Sequence, residues 1–193
     1  MSDDEKENWR RFELLAMPHL DAAYNLALWL TRNADDAQDV VQDALMRAMR
    51  YMGSLRMESA RPWLLQIVRN TFYSWLKVNR PAEKVLLDDA DDAWRDLAAP
   101  TASEPPSIAI RNADRLQINQ AIAALPVAYR EVFVLRELED LSYNDIARIA
   151  EIPVGTVMSR LARARGLMRT ALAPLVRPAL RTVPRAAQSG GTS

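Results

Sequence analysis

The chain has 193 residues, 49% of them apolar, with Lys+Arg 25 against Asp+Glu 25, a size that suits one domain or two small ones. It has no cysteine and one histidine, His19, which excludes disulfides and thiolate metal sites and leaves no set for a histidine-held zinc. The charged opening "MSDDEKENWRR" is no secretory leader, and no apolar run approaches the roughly 20 residues that span a bilayer, so the expectation is a soluble cytoplasmic protein without membrane insertion.

Ala, Leu, Arg and Met recur, Gly is scarce, and runs of alternating β-branched residues are missing, so the expected fold class is all-α. Two small helical domains are expected, over residues 8–80 and 114–173, joined by an acidic, Pro/Ala-rich linker over 81–113. In the first, a short helix ends near Ala16, and Pro18 suits the first turn of a second helix running to about Thr31. Asn33 is placed to cap a third helix, "ADDAQDVVQDALMRAMRYM", whose buried stripe is Ala37, Val41, Ala44, Ala48 and Met52. "GSLRMESAR" reads as a loop, and Pro62 opens a fourth helix, "PWLLQIVRNTFYSWLKVN", with Leu65, Val68, Phe72 and Trp75 or Leu76 as its stripe.

The linker gathers Asp88, Asp89, Asp91, Asp92 and Asp96 and then turns rich in Pro, Ser and Ala. Beyond it, "DRLQINQAIAAL" carries Leu116, Ile118, Ile122 and Leu125, and Pro126 starts "PVAYREVFVLREL". Ser142 begins "SYND", a capping-box variant with Asp145 in the fourth place, for a helix ending near Ala150. A tight turn through Glu151 leads to "PVGTVMSRLARAR". The tail over 174–193, with Pro174, Pro178 and Pro184, is expected to be loose and basic.

Three stretches carry candidate function. "LSYNDIARIAEIPVGTVMSRLARAR" has the layout of a helix-turn-helix: Ala147 is small at the crossing, while Ile152 and Val157 plug the corner. Glu151 stands where glycine often takes the strained turn. From Ile146 onward there are eight arginines and one acid, Glu151. Thr156 and Ser159 lie near the start of the second helix, where backbone N–H groups attract phosphate, and Arg160 and Arg163 share a face suited to phosphates or guanine edges. Val157, Leu161, Ala164 and Met168 form the opposite stripe. An ordinary solvated basic helix face is the alternative.

In "DDAQDVVQDALMRAMR", Asp36, Asp39 and Asp43 recur at helical spacing with Gln42 beside them. Such acids serve metal or acid–base chemistry, a solvated face with Asp43 and Arg47 as an i,i+4 pair, or a face that docks on another protein. In "RPWLLQIVRNTFYSWLK", aromatic residues interleave with Arg61, Arg69 and Lys77, a mixture that suits single-stranded nucleic acid. Phe72 and Trp75 fit the core stripe, so Trp63 and Tyr73, which fall off it, are the better candidates for stacking. His19 is read as structural.

In this order the three stretches resemble a bacterial RNA polymerase sigma factor of the extracytoplasmic-function (ECF) group of the sigma-70 family, over about residues 10 to 173. "DAQDVVQDALMRA" resembles the region 2 helix that docks on the clamp helices of the polymerase core, which implies a core-binding role for Asp39, Gln42 and Asp43. "RPWLLQIVRNTFYSWLK" resembles the helix facing the −10 element, implying −10 contacts by Trp63, Arg69, Asn70 and Tyr73, with a flipped nucleotide received by the loop "GSLRMESAR". "ALPVAYREVFVLRELEDLSYNDIARIAEIPVGTVMSRLARAR" resembles region 4, implying −35 contacts by Thr156, Met158, Ser159, Arg160 and Arg163. Met158 stands where many members carry Lys or Arg, and Ala162 where some carry a bulky reader. The implied partners are core RNA polymerase, promoter DNA and a cognate anti-sigma factor, and no cofactor or catalytic residue is implied.

Two rival readings remain. A stand-alone operator-binding regulator would explain residues 114–173 but not the acidic and aromatic–basic helices. An enzyme built on Asp36, Asp39 and Asp43 would need further ligands.

Overall fold

In the computed structural model, which describes the backbone of residues 3–52, 60–80 and 109–179, every regular element among the described residues is helical. The loop before Pro62 (residues 53–59), most of the acidic linker with its aspartates, and the chain beyond Ala179 lie outside the described residues.

Helix α1 (Asp3–Leu15) leads into a short 3-10 turn (Met17–His19) with Pro18 in its first turn, then α2 (Leu20–Thr31). Arg32 closes α2 in the left-handed region at φ 60°. Asn33 then caps α3 (Ala34–Arg50), its side-chain oxygen accepting from the N–H groups of Asp35 (2.8 Å) and Asp36 (3.0 Å). Two aspartates in that first turn complement the helix dipole. Ala37, Val41, Ala44, Ala48 and Met52 are all buried, joined by Val40, and pack toward Ala23, Leu26, Ala27 and Leu30 of α2. Helix α4 (Ala60–Asn79) completes the bundle with Leu64, Leu65, Val68, Phe72 and Leu76. Leu76 takes the last buried place, while Trp75 is half-buried against Phe72. Arg80 reaches back to Asp36 of α3 at 3.0 Å and lies over the Trp75 ring.

The second unit begins with α5 (Ala109–Ala124), so the helix starts within the stretch expected as linker, five residues before Asp114. Among its described side chains Ile122 is enclosed, as is Leu125 just after the helix, whereas Leu116 is 57% exposed and Ile118 is also exposed. The apolar pattern of this helix therefore overstates its core face. Helix α6 (Val127–Phe133) follows Pro126 and continues as a π-helical turn (Val134–Leu138).

Ser142 caps α7 (Tyr143–Ala150) by accepting from the Asp145 N–H at 3.1 Å, and its hydroxyl donates to the Asp145 carboxylate at 2.6 Å. The turn after α7 is closed by Glu151 in the left-handed region (φ 55°, ψ 42°), with the Ile152 N–H on the Ala147 carbonyl at 3.1 Å. A β-carbon there costs about 1 kcal/mol relative to glycine. Helix α8 (Val154–Ala179) buries Val157, Leu161, Ala164 and Met168 on one stripe. It continues through Pro174 to Ala179, where a loose tail was expected to begin. Proline's fixed φ is compatible with a helix; the residue removes one hydrogen bond and crowds the preceding turn, which weakens a helix without always ending it.

The two units are packed on each other. Helix α4 lies against α7, and α2 against α6, and their buried side chains form one continuous cluster. Arg130 of α6 is buried at this junction and donates to the carbonyls of Ala123 (2.7 Å) and Leu125 (3.2 Å) in its own unit and of Leu30 (3.3 Å) in the other.

Candidate nucleic-acid interface

Burial of one stripe of α3 leaves the other turned to solvent. Asp39, Gln42 and Asp43 are exposed there together, with Met46 one turn further on. Arg47 pairs with Asp43 at 2.9 Å, as the i,i+4 spacing implies. Asp36 is drawn aside by Arg80. Among the described residues no three His, Cys, Asp or Glu side chains gather as a metal set.

The second group lies on α4. Since Leu65, Val68, Phe72 and Leu76 face inward, Arg69, Asn70 and Tyr73 are turned off the core of their own bundle, toward α6 and α7 of the other unit. Trp63 is half-buried on the core near the start of α4. Arg69 donates to Glu131 of α6, which is 0% exposed, and the Tyr73 hydroxyl donates to the other oxygen of the same carboxylate at 3.1 Å. The Arg69 guanidinium also covers the Tyr73 ring, 4.6 Å from its centroid. Asn70 and Gln66 both donate to Glu151, at 3.1 and 3.2 Å. At the start of the helix, Arg61 pairs with the buried Glu139 at 2.5 Å.

The electrostatics follow from that enclosure. Burial pushes the Glu131 carboxyl above its usual range, against the pull of Arg69 and of the Tyr73 hydrogen bond. Burial, then the Glu131 charge, pushes the Tyr73 phenol upward as well. Glu151 moves the other way: its hydrogen bonds from Asn70 and Gln66 hold it below the ordinary carboxylate range.

The third group lies on α8. Thr156 is half-buried near the start of the helix, Met158 is 54% exposed, and Ser159 is exposed with its hydroxyl donating to the Thr156 carbonyl at 3.0 Å. Arg160 and Arg163 have different surroundings. Arg163 is exposed and donates to the Tyr129 hydroxyl at 3.3 Å. Arg160 is half-buried and close enough to Glu131 and Tyr73 to bias both electrostatically, and its buried Nε has no hydrogen-bond partner among the described residues. Arg165 is held by Glu137 through two hydrogen bonds of 2.9 and 2.6 Å.

Sequence reasoning had passed over Glu131, Glu139 and Glu151 as partners of α4. A signal was present for one of them: Glu131 lies between Val127 and Leu135 at helical spacing, an acid on an apolar stripe. The other two gave no such sign, because a lone acid in a turn is ordinarily solvated.

Two family models match the chain, Sigma-70 region 2 over residues 15–81 and Sigma-70, region 4 over residues 115–168. The chain is 37% identical over 174 residues to the RNA polymerase sigma-H factor of Pseudomonas aeruginosa, covering 88% of this chain and 90% of that protein. It is 36% identical over 146 residues to the ECF RNA polymerase sigma-E factor of Escherichia coli, covering 74% and 76%. Among solved structures it resembles the sigma factor RpoE in complex with the anti-sigma factor NepR from Bartonella quintana, with TM-score 0.61 and 28% identity over 86% of this chain and 98% of that one. It also resembles CnrH in complex with the cytosolic domain of CnrY, with TM-score 0.61 at 22% identity, a likeness of fold.

Proposed function

The chain belongs to the ECF group of the sigma-70 family of RNA polymerase sigma factors and directs promoter-specific transcription initiation, and from that membership we propose how its residues divide the work. The unit over residues 8–80 carries core docking and −10 recognition, the unit over 114–173 carries −35 recognition, the 81–113 segment links them, and the 174–193 segment adds general basic affinity.

Asp39, Gln42 and Asp43 form the docking face for the clamp helices of core polymerase. What supports this is their joint exposure on α3, opposite a fully buried stripe. A helix whose exposed side holds an amide, two acids and Met46 offers polar contacts around an apolar centre, the composition of a docking surface.

Trp63, Arg69, Asn70 and Tyr73 serve the −10 element. One observation carries this assignment: the cations, amides and phenol of α4 point away from the core of their own bundle and gather carboxylates instead. A surface that collects anions and offers a ring can hold a strand's phosphates and stack its bases. Thr156, Met158, Ser159, Arg160 and Arg163 serve the −35 duplex from α8, arginine supplying phosphate or guanine contacts.

The chain contributes recognition, and the bond-forming chemistry belongs to the polymerase. It acts where the polymerase acts, in the cytoplasm; no described helix is long and apolar enough to cross a membrane. An anti-sigma factor is the further expected partner, by likeness to the Bartonella quintana sigma factor solved with one.

The test is reconstitution. Purified chain is added to core polymerase, retention on immobilised core is measured, and start sites are mapped by run-off transcription. Start sites that appear only with the chain, and are lost in Arg69→Ala with Asn70→Ala, support the assignment. Unchanged initiation by that double variant would remove α4 from −10 recognition.

A further inference from the structure

We propose that Tyr129 is a positioning residue for −35 recognition, its hydroxyl fixing the Arg163 guanidinium for the reading of one base edge. The proposal rests on the reading of α8 as the −35 helix.

Tyr129 lies on α6 and is 1% exposed, its ring enclosed in the core cluster. Helix α6 packs along α8, and there the Tyr129 hydroxyl accepts from Nη1 of Arg163 at 3.3 Å. Arg163 itself is exposed, next to the buried Ala164 on the rim of the α8 core stripe. The bond thus joins a fixed point in the core to a cation on the surface. Both residues belong to the second unit, so the bond does not depend on how the two units meet.

Burying a hydroxyl is costly unless it is bonded, and phenylalanine would fill the same space without that demand. A phenol at so enclosed a position calls for a partner at its tip, and a partner here is a −35 candidate.

Arginine needs such help more than other side chains that read DNA. It has many rotatable bonds, yet its base-specific contact is bidentate, with N–H groups of one plane meeting O6 and N7 of guanine. A side chain held in advance loses less conformational entropy when it binds. The guanidinium carries several N–H donors in its plane, so a bond to one of them orients the group without exhausting its capacity to read.

The kind of acceptor matters as well. Arg165, on the same helix, is held by the Glu137 carboxylate, which sets a negative charge beside it. A tyrosine hydroxyl orients a cation without adding a counter-charge that a phosphate would have to displace. A hydrogen bond of 3.3 Å is long for its kind, so it can yield as the guanidinium settles on a base.

The test uses holoenzyme assembled from the full chain and core polymerase, challenged with a promoter library randomised across the −35 element. Base preference is scored position by position. The chains are wild type, Tyr129→Phe, Arg163→Ala, the double variant, and Tyr143→Phe as control. Tyr143 of α7 is half-buried and hydrogen-bonds with Arg165, so the control removes a phenol beside a different arginine of α8. Tyr129→Phe is expected to relax preference at the same base position as Arg163→Ala, by about three- to tenfold. Added to Arg163→Ala, it should relax preference no further, and the control should match wild type. Wild-type preference in Tyr129→Phe overturns the proposal. A sharper preference overturns it too, since the bond would then hold Arg163 away from the DNA. So does an equal further loss in the Arg163→Ala background, or an equal loss in the control, because the hydroxyl would then act through the stability of the second unit. That comparison keeps the test decisive should Tyr129→Phe loosen the fold. If Arg163→Ala itself keeps wild-type preference, Arg163 reads no base and the proposal falls. The −35 role of Arg163 fails separately, only if its affinity for the −35 duplex is unchanged as well.

Discussion

The Tyr73 hydroxyl donates to the Glu131 carboxylate at 3.1 Å across the junction of the two helical units, which ties a residue proposed for −10 recognition to a fully buried acid of the second unit. Ring and hydroxyl then have separable roles. In the proposed role the ring is what a base stacks on, while the hydroxyl is bonded to Glu131. Tyr73→Ala should slow open-complex formation by the holoenzyme, with a loss of roughly 1–3 kcal/mol in stacking. Tyr73→Phe should keep normal opening on the polymerase. Permanganate footprinting of the unpaired bubble over time measures both. Equal slowing by Phe and Ala would assign the effect to the hydroxyl and remove the stacking role.

The exposed row Asp39, Gln42 and Asp43 is expected to behave as a docking face. Gln42→Ala with Asp43→Ala should abolish retention on immobilised core polymerase and leave the thermal unfolding midpoint nearly unchanged. Asp43 contributes little to the fold, because its partner Arg47 is also exposed, and pairs of that kind stabilise by about 0–1 kcal/mol. Full retention of the double variant would reduce the row to an ordinary solvated face.

Helix α7 supplies a test of pH dependence. Its cap is reciprocal: Ser142 accepts from the Asp145 N–H, and Ser142 and Arg148 donate to the Asp145 carboxylate. The Ser142 hydrogen bond, then Arg148, hold that carboxyl below the usual range against the effect of burial. A depressed folded value stabilises the fold fully above the ordinary aspartate value of about 3.9, and the contribution is lost as the pH falls through the folded value. Ser142→Ala should cost about 1 kcal/mol at neutral pH as a lost helix cap. Asp145→Asn should lower the urea midpoint at neutral pH, and its gap from wild type should close as the pH is taken down into the acid range. A gap that stays constant with pH would assign the loss to side-chain shape.

These local devices were legible because each is written within a few residues. Asn33 and Ser142 precede helices with the spacing a cap needs, and Glu151 follows the α7 pattern where the chain must turn left-handed. The stripes of α3 and α8 follow from periodicity alone. What sequence could not supply is which faces meet. Leu116 and Ile118 continue an apolar pattern but sit beyond the reach of the bundle. Pro174 looks like a stop but falls inside a helix. The acids on α4 come from 58 to 85 positions away along the chain, and no local pattern names a partner at that distance. The candidate DNA residues were legible one helix at a time, and the pairing of those on α4 with acids of the second unit was not.

The arginines of α8 offer the sharpest separation between reading a sequence and gripping a backbone. They share a helix face by spacing, yet Arg163 is exposed and donates to the Tyr129 hydroxyl, whereas Arg160 is half-buried with a buried Nε that has no hydrogen-bond partner among the described residues. An arginine bonded to a base edge discriminates by about 1–3 kcal/mol, so its loss relaxes preference at one position. One that meets phosphate alone weakens every sequence alike and flattens the salt dependence. At least one of Arg160→Ala and Arg163→Ala is expected to change −35 preference when holoenzyme is challenged with a promoter library. Arg177→Ala, near the C-terminal end of α8, is expected to change overall affinity without changing preference. Should both variants keep the full wild-type preference, the arginines would be a phosphate clamp, and base reading would pass to Thr156, Met158 and Ser159, of which Met158 and Ser159 are exposed on the same helix.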